Sequence, residues 1–243
     1  MSTRISELIR LGPAILPLTL LAACVGGGGT GGAPAEAVVT SDLVVISGPH
    51  GFCVDETATR AEGDTAFVLL GNCAAISNSR RADQPESPVV LSAAISEASD
   101  AGSISESVAD LDTYFRSEDG RRLLSRSQDA ASVTVIDTRT DGDVFLLHAS
   151  DASPGAMPGV SDDYWRAYFD LGPRIATLSV FALEDRGVTA EESLAVLGAF
   201  AQSVRAANIA PEATSALPEE DPAAYTARPR GGVFSGFFRR FVD

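Results

Sequence analysis

"YWRAYFDLGPRIATLSVFALEDRGVTAEESLAVLGAFAQSVRAAN", residues 164–208, decides the fold. Its first half holds two runs rich in aromatic and β-branched residues, Tyr164 to Leu171 and Ile175 to Leu183, around Gly172-Pro173. Such runs predict a β-hairpin, with the proline at the turn because it would remove a ladder hydrogen bond inside a central strand. The second half changes period. Leu194, Leu197, Ala201 and Val204 fall on one helical face over Ala190 to Ala207. Thr189 with Glu192 forms a capping box at its start. Asn208 in the left-handed conformation is expected to end it, and Pro211 to forbid its resumption. The only tryptophan, Trp165, is expected to be buried between the sheet and a helix.

Upstream, the same reasoning predicts strands at Leu43 to Ile46, Gly51 to Val54, Ala66 to Leu70 and Val89 to Ser96. The third is dense enough in apolar residues to be buried on both faces. Ile104, Val108, Leu111 and Phe115 then step at helical spacing, with Ser103 and Glu106 as a capping box and Gly120 as the punctuation. Arg121 to Arg126 adds a short helical turn. Ser132 to Thr138 and Asp143 to Ala149 return to strand composition around Thr140-Asp141-Gly142, a tight hairpin turn. Hairpin-linked strands with segregated helices predict an α+β fold built on an antiparallel sheet, not a parallel doubly wound one.

This element order, with the segment from Trp165 through "DLGPRIATLSVFALE" into the capped final helix, resembles the PsbP-like proteins. The resemblance spans residues 41–208 and implies an αβα sandwich, an antiparallel sheet flanked by helices. No functional residue carries over from it.

At the other end, "LTLLAACVGGGGT" (residues 18–30) closes an apolar run in a cysteine and then dissolves into glycine. Arg4 and Arg10 make the leading segment basic, and Leu11 to Ala22 is too short to cross a bilayer, which needs about 20 helical residues. A basic start, a short apolar middle and small residues read as a signal peptide over residues 1–23. Leu21-Ala22-Ala23-Cys24 resembles the lipobox of bacterial lipoproteins, which implies acylation of Cys24 and anchoring in a bilayer. Val25, rather than an acid, resembles lipoproteins sent to the outer membrane, facing the periplasm. Residues 24–40 are expected to be a Gly-rich, flexible tether. "GFCVDE" and "LLGNCAAI" resemble segments of small alphaproteobacterial lipoproteins.

Composition excludes several functions. The formal net charge is −15, so nucleic-acid phosphates should repel the chain. Every basic residue is arginine, which removes both the lysine of a Walker-type phosphate loop and a Schiff-base lysine. With Cys24 acylated, Cys53 and Cys73 remain as a pair in an oxidising compartment and are expected to form a disulfide. Two cysteines with only His50 and His148 cannot complete a structural zinc site or an iron–sulfur cluster. No metal and no cofactor is expected.

Catalytic signals are sparse. His50 sits in the turn Gly48-Pro49-His50-Gly51 and reads as a solvated loop residue, while His148 ends an apolar strand. No GxSxG elbow marks a nucleophile. Asp137, Asp141, Gly142 and Asp143 mimic the start of an EF-hand loop, but Arg139 and His148 occupy positions that need oxygen ligands. Asp162-Asp163 and Glu219-Glu220-Asp221 read as solvated charges, and Asp55 with Glu56 would point to opposite strand faces.

Residues 209–230 are rich in Pro, Ala and acids and read as a linker. The chain closes in residues 231–243, where Phe234, Phe237, Phe238 and Phe241 share one helical face beside Arg239 and Arg240. That pattern predicts either docking of the phenylalanines on the protein's own surface or contact with a membrane surface or an envelope protein partner. The sequence thus predicts one domain over residues 41–208 in a membrane-anchored envelope lipoprotein. Its expected role is non-catalytic binding, assembly or accessory work; the alternative is an envelope hydrolase with a site near His148 or His50.

Overall fold

The 164–183 hairpin forms the middle of a large sheet in the computed structural model, which describes residues 32–100, 102–153 and 159–209. The strands are β1 (Glu36–Val39), β2 (Val44–Ser47), β3 (Phe52–Val54), β4 (Arg60–Glu62), β5 (Thr65–Asn72), β6 (Val89–Ile95), β7 (Val133–Asp141), β8 (Val144–Asp151), β9 (Val160–Leu171) and β10 (Arg174–Leu183). The helices are α1 (Cys73–Ile76), α2 (Val108–Arg116), α3 (Glu118–Leu124) and α4 (Ala190–Ala207). Eight strands make one sheet in the order β3-β5-β6-β10-β9-β8-β7, with β4 pairing the same side of β5 as β3. β1 and β2 form a separate two-stranded ribbon. Every pairing is antiparallel. The fold is α+β.

Alternation along the strands sorts side chains onto two faces. Val68, Leu70, Leu91, Ala93, Trp165, Ala167, Phe169, Leu178 and Val180 pack with Leu197, Phe200 and Val204 of α4. Trp165 is 2 % exposed there, as its composition predicts. The opposite face carries Phe145, Leu147, Ala149, Tyr164 and Ile175, covered by Leu111 and Phe115 of α2 and Leu124 of α3. Helices therefore flank the sheet on both sides. Each fully buried aromatic or branched side chain contributes roughly 1.5–3 kcal/mol by leaving water.

The capping box of α4 is present as expected, Thr189 accepting from the Glu192 N–H while Glu192 accepts from the Thr189 N–H. Its other end differs from expectation. Asn208 has φ −113°, not the left-handed value. Its side-chain amide instead donates to the carbonyls of Val45 and Val204 and accepts from the Val45 N–H, so the helix ends by clipping itself to β2. That bond makes the ribbon part of the fold. The folded part accordingly begins at β1, ahead of residue 41 and inside the stretch read as tether.

Three further expectations are corrected. β5 is buried on one face only: Ala66, Val68 and Leu70 are buried, while Phe67 is 40 % exposed. Gly120 does not end a helix but lies inside α3. The chain breaks at Ser117, whose hydroxyl caps α3 by accepting from the Gly120 N–H. A Cβ on Gly120 would sit 2.0 Å from the Tyr114 carbonyl oxygen, so glycine is required by the tight α2–α3 corner. The Ser103 hydroxyl does accept from the Glu106 N–H, but the first turn is 3₁₀ and α2 proper starts at Val108.

Candidate functional site

Cys53 on β3 and Cys73 at the start of α1 are joined in a disulfide, with Cα atoms 4.8 Å apart. The bond ties an edge strand to the turn that follows β5, and it fits an oxidising compartment outside the cytoplasm. Among the described residues no helix is long and apolar enough to cross a membrane. Cys24 and the tail residues Phe234, Phe237, Phe238, Arg239, Arg240 and Phe241 lie outside the described residues.

The two histidines have different fates. His50 is exposed, with Nε2 3.5 Å from Asp83. His148 is buried on the α4 face of β8, its ring stacked on Trp165 at a centroid distance of 4.5 Å. Its Nε2 lies 2.6 Å from the Asp163 carboxylate on β9. Asp162 and Asp163 are therefore not simply solvated, because Asp162 accepts from Arg126 at 2.9 Å. The EF-hand mimic is dismantled by arginines: Arg139 binds Asp137 at 2.6 Å and Arg205 binds Asp143 at 2.8 Å. Asp55 accepts from the Thr57 N–H and hydroxyl and serves its own turn.

A cavity of about 220 Å³ opens on the α2/α3 face of the sheet. Its floor is two rows of cross-strand neighbours. One runs Arg166, Ser179, Ser92 across β9, β10 and β6; the next runs Tyr168, Thr177, Ala94, Phe67 across β9, β10, β6 and β5. Ile104, Leu111, Phe115 and Leu123 form an apolar wall. The cavity has a simple cause. α2 and α3 lie over the β7–β9 side of this face, whereas β6 lines the cavity with the small side chains of Ser92 and Ala94, which leave space unfilled. Asp170 fixes the wall's base by accepting from the Ile104 N–H at 3.0 Å. Burial holds the Asp170 carboxyl above its usual range, a tendency the Ile104 N–H opposes.

The polar groups on this floor are unusual for the chain. Arg174 is buried and bound by Asp42 at 2.9 Å, and Arg126 is held by Asp151 at 3.1 Å. Arg166 has no such partner among the described residues. Its Nε donates to Ser179 Oγ at 2.9 Å, its guanidinium sits 5.0 Å over the Tyr164 ring, and the Tyr168 hydroxyl acts on it. Burial works against the Arg166 charge, while Tyr168, Tyr164 and the Asp151 carboxylate favour it, and the pKa is raised. Burial also pushes the Tyr168 hydroxyl up and Tyr164 to about 12, so both stay protonated donors. Thr177 Oγ1 is buried with no hydrogen-bond partner among the described residues. The arrangement is a guanidinium with neutral hydroxyl neighbours at the end of an apolar slot.

The sequence reading missed this cluster. Its signal was present as Arg166, Tyr168, Thr177 and Ser179, polar groups at every second position of otherwise apolar strands. No family model and no curated protein matches the chain. Among solved structures, the extracellular domain of PknH from Mycobacterium tuberculosis is similar, with 10% identity and a TM-score of 0.27, covering 66% of this chain and 79% of that one.

Proposed function

We propose that this chain is an envelope lipoprotein, anchored by acylated Cys24 in the outer membrane, whose folded part binds a small molecule without transforming it. The cavity floored by Arg166 is the observation that carries the binding role. A concave apolar site with a few convergent polar groups is the usual form of a ligand site. The disulfide and the lipobox around Cys24 support the compartment. The Phe/Arg tail serves as a second contact, with the bilayer or with an envelope protein partner.

The test uses the full-length protein extracted from membranes. Native mass spectrometry should find an acylated chain with a co-purifying small molecule, and Ala94→Trp, which fills the cavity, should lose that molecule while keeping its melting temperature. An empty wild-type cavity, with no saturable small-molecule binding, would remove this reading.

A hydrolase near His148 is the second reading, and the 2.6 Å contact with Asp163 favours it. An orienting carboxylate on a histidine is two parts of a catalytic triad. Among the described residues no serine, threonine or cysteine hydrogen-bonds to His148, which sets the binding role first. Ester or amide hydrolysis that disappears in His148→Ala and survives in Ala94→Trp would reverse the order.

A further inference from the structure

The charge pattern of the cavity narrows its ligand. Arg166 is a half-buried cation with no ion pair among the described residues: its neighbours are a serine hydroxyl, a tyrosine hydroxyl and a ring face, and the Asp151 carboxylate, itself bound by Arg126, acts on it without direct contact. The fully buried guanidinium, Arg174, is matched by Asp42 and also reaches the Asp64 and Ser96 carbonyls. A half-buried charge with no counter-ion in contact is unfavourable unless something else offsets it. Guanidinium offers five N–H donors in a planar fork. Nε is spent on Ser179 and another N–H on the Tyr168 oxygen, which leaves the remaining N–H groups of the fork to take an oxyanion. Tyr168, a protonated hydroxyl one row along, and the orphaned Thr177 hydroxyl add neutral donors on the same floor.

From this we infer that the cavity holds a small amphiphile with one monoanionic carboxylate head on Arg166 and a short apolar chain against Ile104, Leu111, Phe115 and Leu123. This rests on the cavity being a binding site. One cation among neutral hydroxyls matches a single negative charge; a dianion would keep an unpaired charge in a strongly acidic chain. Size sets the tail. A space of about 220 Å³ equals roughly seven waters at about 30 Å³ each, enough for a chain of several carbons and too small for a diacyl lipid.

The experiment uses the full-length acylated chain in phosphatidylcholine nanodiscs, with empty discs subtracted. Equilibrium dialysis compares octanoate with octan-1-ol (same tail, no charge), acetate (same head, no tail) and octyl phosphate (a dianionic head). Octanoate should bind saturably and about tenfold or more tighter than any of the other three. Arg166→Gln should bring octanoate down to the level of octan-1-ol and leave octan-1-ol unchanged. Arg166→Lys, which keeps the charge without the fork, should fall between. Thermal melts of both variants establish that they are folded. Equal binding of octanoate and octan-1-ol, an unaltered Arg166→Gln, or tighter octyl phosphate overturns the monoanion inference. In those cases Ala94→Trp separates the two claims: if it abolishes binding, the cavity is still the site, and if it does not, the binding-site reading falls as well.

Discussion

Arg166 and Ser179 are directly opposed on β9 and β10, and the 2.9 Å bond from Arg166 Nε to Ser179 Oγ joins a half-buried cation to a neutral acceptor. Arg174, at the start of β10, is the contrast, because the Asp42 carboxylate completes its ion pair at 2.9 Å. Truncating the two should therefore have opposite consequences. Arg166→Gln removes an unmatched charge and should leave the melting temperature unchanged or raise it. Arg174→Gln removes a buried cation held by the exposed Asp42 carboxylate and by the Asp64 and Ser96 carbonyls, unhooks the β1–β2 turn and should lower the melting temperature clearly. Urea titration of both variants decides it, and equal destabilisation would show that Arg166 is a structural residue.

Two aspartates set the acid limit. Burial would raise the Asp151 carboxyl, but the Arg126 N–H and the Ser153 and Ser132 hydroxyls outweigh it and hold the pKa at about 2. Asp42 is held at about 2 by Arg174 first and Thr40 second. A folded pKa below the ordinary 3.8 stabilises the fold above that value, and the gain is lost as pH falls toward 2. For the fully buried Asp151 this amounts to about 2 kcal/mol. Urea midpoints should fall from about pH 4 to pH 2, and Asp151→Asn should be weaker at neutral pH with a flatter acid limb. An unchanged limb would place the acid sensitivity elsewhere.

The 164–183 hairpin, the α4 capping box and the burial of Trp165 were legible because each depends on neighbours in sequence. β1 and β4 were not: "EAVV" and "RAE" have no strand pattern of their own and are held by β2 and β5. Gly120 was misread because its reason is a carbonyl in the preceding helix rather than its own turn. The cavity could not be read at all. Arg166 and Thr177 show as polar interruptions in apolar strands, but which part of the sheet α2 and α3 leave open is a property of tertiary packing.

Gly120 gives a sharp steric test. A methyl group there would meet the Tyr114 carbonyl oxygen at 2.0 Å and the Phe115 Cα at 2.6 Å, both backbone atoms that a rotamer change cannot move. Gly120→Ala should cost about 3 kcal/mol and shift the α2–α3 corner over the cavity wall. An alanine variant of wild-type stability would mean that this corner opens without penalty.

The disulfide stabilises through the unfolded chain. Cys53 and Cys73 are 20 residues apart, so reduction should cost about 3 kcal/mol by restoring loop freedom. The β3 edge, which pairs β5 through only three residues, should lose hydrogen-exchange protection first. Free thiols alkylated at both positions in protein taken from the envelope would contradict the pairing.

The tail provides the last prediction, on residues 231–243. Its phenylalanines recur at helical spacing in the sequence with arginines beside them, the composition of a segment that lies at a bilayer surface. In the lipoprotein proposed above, more than one acyl chain would hold the membrane without the tail, so the role proposed for the tail is orientation at the surface or capture of a partner there. An unacylated chain should therefore bind anionic vesicles weakly, and salt should reduce that binding by screening the arginines. Replacing Phe237, Phe238 and Phe241 with Ser should remove the binding and leave the melting temperature of the folded part unchanged. A large loss of stability in that variant would show that the phenylalanines pack on their own domain. Loss of octanoate binding in the same variant, with vesicle binding intact, would instead mean that the tail completes the cavity rather than the membrane contact.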